Sequence, residues 1–383
     1  MVILLCDRSH WSRASVPLTV FMFVAGVHLW GQAIFQFHDY RLTALYDPIY
    51  STATVFLYPV FYQYLRALTL PKAQRKLRLN PLFLPAIIMA LWNITGFCLM
   101  SPAELNAYSH AALYGEAGFE LSALVKWQCL NERLIYWLFD FNAVYALWFG
   151  LRHIRQVRNR LAEYYSNPDD HIQVPIAMLQ YCFLFVALAT ITFCTIGRKP
   201  FIQTTAMLAI ASFGHALMLF SIGYVAYKQH FTADDLERDM VQSDKAEKMA
   251  EQLAKKNADE QPQKIRLASP KNMQNQIIEL FEKEELFRKP ELSISDLAAR
   301  LHTNRTYISR TINQEMQCTF SDFVNKYRVE YAKKLLESKQ HAKTPITDIA
   351  EMSGFTHCSS FYRVFKSVEN KSVKDYCKRL TMT

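Results

Sequence analysis

Four polar side chains, Thr306, Ser309, Arg310 and Asn313, fall within eight residues near the C-terminal end of a 383-residue chain. On a helix at 100° per residue, Thr306, Arg310 and Asn313 stand roughly opposite Ile308 and Ile312, with Ser309 on the flank. A second stretch repeats the arrangement. Phe361 and Phe365 point one way, Ser359, Arg363 and Lys366 the other, and Tyr362 lies to one side. Hydroxyl, carboxamide and guanidinium groups on the outer face of an anchored helix suit hydrogen bonding to base edges and phosphates. Asn304 and Arg305, just ahead of the first set, belong to the same candidate surface. Other chemistries are poorly provided for. The sequence holds no phosphate-binding glycine loop, no H-E-x-x-H and no G-x-S-x-G, and its eight cysteines form no C-x-x-C pair or metal spacing. Catalytic residues, metals and cofactors are therefore not expected.

The elements that position these side chains can be read from their flanks. Ser293 and Asp296 form a capping-box pattern ahead of Leu297, Ala298 and Leu301, and a turn leads into Asn304–Ile312. Further on, Thr344–Ala350, the turn Ser353-Gly354-Phe355 and Cys358–Phe365 repeat the order helix, turn, helix. Gly354 stands where such a turn needs positive φ. Between the copies, Thr319–Lys339 reads as one longer helix with Phe323, Tyr327, Tyr331 and Leu335 recurring every fourth residue.

Two helix-turn-helix units joined by a linker helix resemble the DNA-binding domain of AraC/XylS-type transcriptional regulators. The resemblance covers about residues 273–380 and includes a preceding helix Met273–Phe287. It rests on Asp-Leu-Ala in the first unit, Asp-Ile-Ala and Gly-Phe in the second, Phe-Tyr-Arg-Val-Phe-Lys366, and Tyr376. The sequence departs from the family pattern at Gln317 and Asn370, where glycine is usual, and at Val373, where proline is usual. Asn370 is the milder change, because asparagine tolerates left-handed backbone. The resemblance implies double-stranded DNA as partner. Residues 271–383 carry 19 Lys and Arg against 14 Asp and Glu, a balance that suits phosphate contacts.

The rest of the chain has a different character. Residues 1–227 hold 27 charged side chains and residues 228–383 hold 50. Ala14–His38, Leu79–Ala103, Val174–Gly197 and Pro200–Tyr227 contain no Asp, Glu, Lys or Arg. Crossing a hydrocarbon core takes about 20 helical residues. Six transmembrane helices are expected, at about 15–38, 48–66, 80–100, 134–151, 174–196 and 201–227. With the N-terminus cytoplasmic, the inside segments hold 11 basic residues and the outside segments 5. Both termini then lie in the cytoplasm, on the side where DNA is. The opening Met1–Cys6 is too short an apolar run for a cleaved signal peptide.

Polar residues within the spans are candidates for sensing. Asp140 is the one charge in its span, His28 and Gln32 are four apart in the first, and His215 lies in the sixth. Asp140 is expected to pair with His215 or His28, whereas Asn93 and Gln32 read as interhelical hydrogen-bonding groups. Residues 228–270 read as a charged cytoplasmic linker: a solvated helix through Lys256, then a flexible stretch to Pro270.

The expected architecture is all-α: a six-helix transmembrane bundle in residues 1–227, the linker 228–270, and a cytoplasmic AraC-type domain in 271–383. It implies a multi-pass protein of the cytoplasmic (inner) membrane that responds to a small-molecule or membrane signal. Its partners would be double-stranded DNA and the lipid bilayer, with a homodimer left open. The alternative is a transporter or membrane enzyme whose helix-turn-helix tail is regulatory. Broken spans in matching positions of two halves would favour that alternative, and none is evident.

Overall fold

The computed structural model describes residues 14–71 (except 38), 80–168 (except 115, 117 and 119), 184–185, 188, 205–228, 232–257, 270–338 and 344–380. Among these residues the regular elements are helices, and the one extended pairing is an isolated bridge between Tyr165 and Ser293. The chain divides into two compact units: Met1–Arg155 with Val174–Asp234, and Gln156–Gln173 with Asp235–Thr383.

The first unit contains α1 (Ser15–Gln36), α2 (Tyr40–Thr69), α3 (Phe83–Leu99), α4 (Pro102–Tyr108), most of α5 (Ala123–Tyr164) and α6 (Thr205–Lys228). Helix α1 packs on α2 and α6, and α2 packs on α3. The ends are set by local chemistry. Asp39 caps α2 by accepting from the Leu42 amide, and Ser101 and Glu104 close a capping box at α4 with Pro102 in the first turn.

Among the described residues two helices, Ser15–Phe35 and Ala123–Tyr164, are long and apolar enough to cross a membrane, and Phe83–Leu99 is apolar but shorter. The segment expected to span at 134–151 is the middle of one 42-residue helix. At 1.5 Å per residue that helix is about 63 Å long, roughly twice a hydrocarbon core. The expected span 174–196 lies outside the described residues, apart from 184, 185 and 188.

The second unit gathers the end of α5, α7 (Ala233–Asn257) from Asp235 onward, α8 (Pro270–Lys283), a 3₁₀ turn (Leu286–Arg288), α9 (Ile294–Arg300), α10 (Arg305–Arg310), α11 (Phe320–Glu337), α12 (Ile346–Met352), α13 (Cys358–Glu369) and α14 (Val373–Leu380). Helix α10 continues into a wider π-helical turn, Thr311–Glu315. Two helix pairs, α9–α10 and α12–α13, flank α11. Val329, Ala332 and Leu335 of α11 share one core with Ile349, Ala350, Phe355, Phe361, Phe365 and Val373. The linker helix expected to be solvated is held at its start, since Thr232, Ala233, Asp234 and Leu236 are buried. The flexible stretch expected after it lies outside the described residues.

The turns carry the backbone conformations that the sequence asked of them. Gly354 has φ +89°, and a Cβ there would sit 2.6 Å from the Phe287 carbonyl oxygen and 2.9 Å from Arg288 Cα. Gln317 and Asn370 both take φ 55°. The left-handed turns that glycine usually supplies are thus kept without it. Left-handed backbone costs a residue with a Cβ about 1–2 kcal/mol, less for asparagine. Gly354→Ala should therefore lower the stability of the second unit by about 2–4 kcal/mol, from strain plus overpacking. Gln317→Gly should raise it by about 0.5–1 kcal/mol once the looser unfolded chain is counted. Amide hydrogen exchange across Phe320–Glu337 reads both. Unchanged protection in Gly354→Ala would contradict the close approach of the turn to Phe287.

Candidate nucleic-acid interface

Each helix pair begins with a positioned first helix. At α9, Ser293 Oγ accepts from the Asp296 amide at 3.3 Å while Asp296 Oδ2 accepts from the Ser293 amide at 2.8 Å. Burial alone would raise the Asp296 carboxyl, but the hydrogen bonds from Lys289 and Ser293 hold it below the usual carboxylate range. Lys289 Nζ donates to it at 2.6 Å. A depressed pKa means that this cap stabilises above the unfolded value of 3.8 and is lost as pH falls through the folded one.

The second helix of the first pair starts at Asn304, whose Oδ1 accepts from the Thr306 amide at 2.6 Å. Ile308 and Ile312 are fully buried. Opposite them Thr306 and Arg310 are exposed, and Ser309 and Asn313 are half-buried. Arg310 Nε donates to Gln314 Oε1 at 2.9 Å and Asn313 Nδ2 to Ser309 Oγ at 3.3 Å, so the face is pre-ordered by its own side chains. In the second pair Phe361 and Phe365 are fully buried, and Ser359, Tyr362, Arg363 and Lys366 are exposed. The structure thus brings nine of the ten candidate residues, Asn304 included, onto two outward faces. Arg305 differs. Its side chain is 14% exposed, paired with Asp244 at 3.2 Å and set 5.7 Å over the Tyr164 ring.

Sequence reasoning missed the group that ties this domain together. Arg328 in α11 is completely buried. Its Nε donates to the Phe287 carbonyl at 2.8 Å, and its Nη1 to Asn167 Oδ1 at 2.6 Å. Nη2 donates to Ser166 Oγ at 3.1 Å and to the carbonyls of Lys289 and Pro290 at 2.8 and 3.2 Å. The guanidinium also lies 5.5 Å over the Phe355 ring, in the turn of the second pair. Ser166 is bound from every side. Its amide donates to the Leu292 carbonyl at 2.9 Å, and its own carbonyl accepts from Ser321 Oγ at 2.9 Å. One signal was available: Arg328 occupies the four-residue register of Val324 and Ala332, where an apolar residue belongs.

The candidate sensing residues are only partly assembled. His28 Nδ1 and Thr54 Oγ1 are 3.0 Å apart, and Gln32 Nε2 lies 3.3 Å from His28 Nε2 and 3.1 Å from His215 Nδ1. The two histidine rings meet edge to face at 5.4 Å. Among the described residues Asp140 joins neither, against the expected pairing, and its Oδ1 is buried there without a hydrogen bond. The reason is helix facing: His28 and Gln32 share the α1 face that meets α6, whereas the neighbour of Asp140 on α5, Phe139, packs on Tyr58 of α2. Asn93 behaves as expected, accepting from Gln128 at 2.6 Å and Asn131 at 3.2 Å. Among the described residues no group of three or more His, Cys, Asp or Glu side chains could hold a metal.

Arg328→Lys keeps the charge but loses the planar fork, leaving buried acceptors unpaired. It should cost the second unit about 3 kcal/mol, seen as roughly a hundredfold loss of amide protection along Phe320–Glu337. Protection within threefold of the unsubstituted chain would show that other contacts hold the domain together.

A family described as a helix-turn-helix domain matches residues 297–379. An uncharacterized HTH-type transcriptional regulator of Bacillus subtilis (strain 168), YtdP, is 33% identical over 109 residues, covering 28% of this chain and 13% of the relative. An uncharacterized HTH-type transcriptional regulator of Staphylococcus aureus is 32% identical over 92 residues, 24% of this chain and 12% of the relative. The chain thus spans about an eighth of the length of these curated relatives. A solved structure from Listeria innocua, titled as a protein of unknown function, is 34% identical over 28% of this chain and 94% of its own, with a TM-score of 0.24. Residues 297–379 of this chain are thus a helix-turn-helix domain, and the relatives that share it are named HTH-type transcriptional regulators.

Proposed function

We propose that the chain is a membrane-embedded, one-component transcriptional regulator that reads DNA with two helix-turn-helix units and senses its signal in the membrane. The observation that carries the DNA half is the repeated design of α10 and α13, each anchored by two buried apolar side chains and presenting Ser, Arg and other polar groups outward. Asn304, Arg305, Thr306, Ser309, Arg310 and Asn313 would read one major-groove segment. Ser359, Tyr362, Arg363 and Lys366 would read the next, about 34 Å away. One copy of the chain would suffice for two segments, and a homodimer would extend the site.

The membrane half rests on large apolar side chains left outside. Phe23, Trp30, Leu84, Leu91, Trp137, Phe141, Trp148, Phe213 and Phe220 are all exposed. About a third of the most apolar stretch of each of the two long apolar helices is buried (33%), which leaves much of both helices outward. In lipid those surfaces would be at home. We place the six spans and both cytoplasmic termini as the charge asymmetry directs, in the cytoplasmic (inner) membrane. His28, Gln32 and His215 form the polar contact between α1 and α6 on which a signal would act, and Asp140 stands apart from it.

Arg310→Ala and Arg363→Ala should each weaken binding by about 1–3 kcal/mol and relax sequence preference at opposite ends of a selected site. Identical selected motifs from both variants and the unsubstituted chain would refute the assignment. Reporter fusions after Lys76, Arg160 and Gln229 should be cytoplasmic, and fusions near Asp47, Ala117 and Arg198 external. An external reporter after Gln229 would overturn the topology and, with it, the regulator reading.

A further inference from the structure

We propose that helix α7 is an acidic strap that competes with DNA for the first helix pair, with the Asp244 carboxylate occupying the Arg305 guanidinium in place of a phosphate. The inference rests on the reading of α10 as a DNA-facing helix.

Three observations within the second unit carry it. Arg305 opens α10 and is held in an ion pair with an acidic side chain of α7. Asp244 sits 3.2 Å from its Nη2 and remains half exposed, while the Arg305 side chain is nearly covered. Second, the pair is placed by other contacts. The Tyr164 ring lies under the guanidinium, and Ser295 Oγ of α9 donates to the Tyr164 hydroxyl at 3.0 Å. The neighbouring Tyr165 hydroxyl donates to the Asp239 carboxylate, a turn and a half before Asp244 on the same helix. Third, the hold on α7 is polar. Beyond Leu236, Val241 and Met249 are exposed and Met240 is half-buried, so among the described side chains the ion pair and the Tyr165–Asp239 bond are the specific contacts of this stretch. Ion pairs of this kind contribute little in water and are easily exchanged for another anion. A carboxylate and a phosphate compete for the same guanidinium with the same geometry.

The consequence is a domain whose first reading helix is occupied when α7 is docked and released when α7 moves. Residues 156–167 at the end of α5 and the start of α7 flank this contact in the sequence, so a change in either segment reaches Arg305 through Tyr164 or Asp244.

The test uses the full chain reconstituted in nanodiscs and the DNA site selected by the unsubstituted chain. Asp244→Asn should bind that site about fivefold tighter, and Tyr165→Phe, which frees Asp239, should also bind tighter. The tightening should vanish when Asp244→Asn is made in an Arg305→Ala background, and Asp244→Glu should bind as the unsubstituted chain does. Unchanged or weaker binding by Asp244→Asn would overturn the proposal. So would an equal gain in the Arg305→Ala background, which would reveal only the removal of a charge that repels DNA. Binding that is lost in Arg310→Ala but unmoved by Asp244→Asn refutes the strap alone. If no DNA sequence is selected at all, the reading of α10 fails and the strap with it.

Discussion

A guanidinium withdrawn wholly from water is tolerable only if its donors meet acceptors in the right directions, and at Arg328 they do. The backbone carbonyls of Phe287, Lys289 and Pro290 converge on it from the connection between α8 and α9, and Ser166 and Asn167 approach from the far end of α5. The Phe355 ring closes one face. Desolvating such a charge costs several kcal/mol, which this set of acceptors must offset. The arrangement is therefore all-or-none. It fixes the entry to the first helix pair, the turn of the second pair and residues 166–167 relative to one another. Gly354 follows from the same constraint, because its turn presses on the Phe287 and Arg288 backbone and leaves no room for a Cβ.

The DNA-facing surface is a consequence of that frame rather than a separate construction. Short helices of six or seven residues are unstable alone, since few of their backbone groups pair internally. Here capping side chains satisfy the first turns of α9 and α10, and α9, α10 and α12 each bury one to three apolar side chains. What remains outward is free to be polar. The first unit is tied differently, by polar side chains that meet between helices: Asn93 accepts from Gln128 and Asn131, and Gln32 lies between His28 and His215 at the α1–α6 contact.

Much of the second unit was legible in the sequence because its determinants are local. The Ser293–Asp296 capping box, the buried Ile308/Ile312 and Phe361/Phe365 pairs, and the left-handed turn at Asn370 each depend on residues a few positions apart. Periodicity and cap chemistry therefore expose them. The docking of Tyr164–Asn167 was not legible. It is made of long-range hydrogen bonds from small polar residues and backbone carbonyls, which leave no period and no motif. Arg328 itself interrupts an apolar register, a clue to burial but not to its partners. In the first unit, one span was read as 134–151 because apolar composition marks where a helix is greasy, not where it ends; the helix continues to Tyr164. Asp140 was matched with histidines on the ground that buried charges need partners. Which helix faces meet decides that, and a single sequence does not encode it visibly.

The account makes one chain join a bilayer to specific DNA, and that junction can be measured directly. Cells expressing the tagged chain are crosslinked, their membranes floated on a density gradient, and the DNA carried with the chain in the floating fraction sequenced. The account predicts discrete enriched sites in that fraction, which disappear in the Arg310→Ala/Arg363→Ala double variant while the chain still floats. Enrichment confined to the non-floating fraction, or a floating chain that carries no discrete sites, would contradict it.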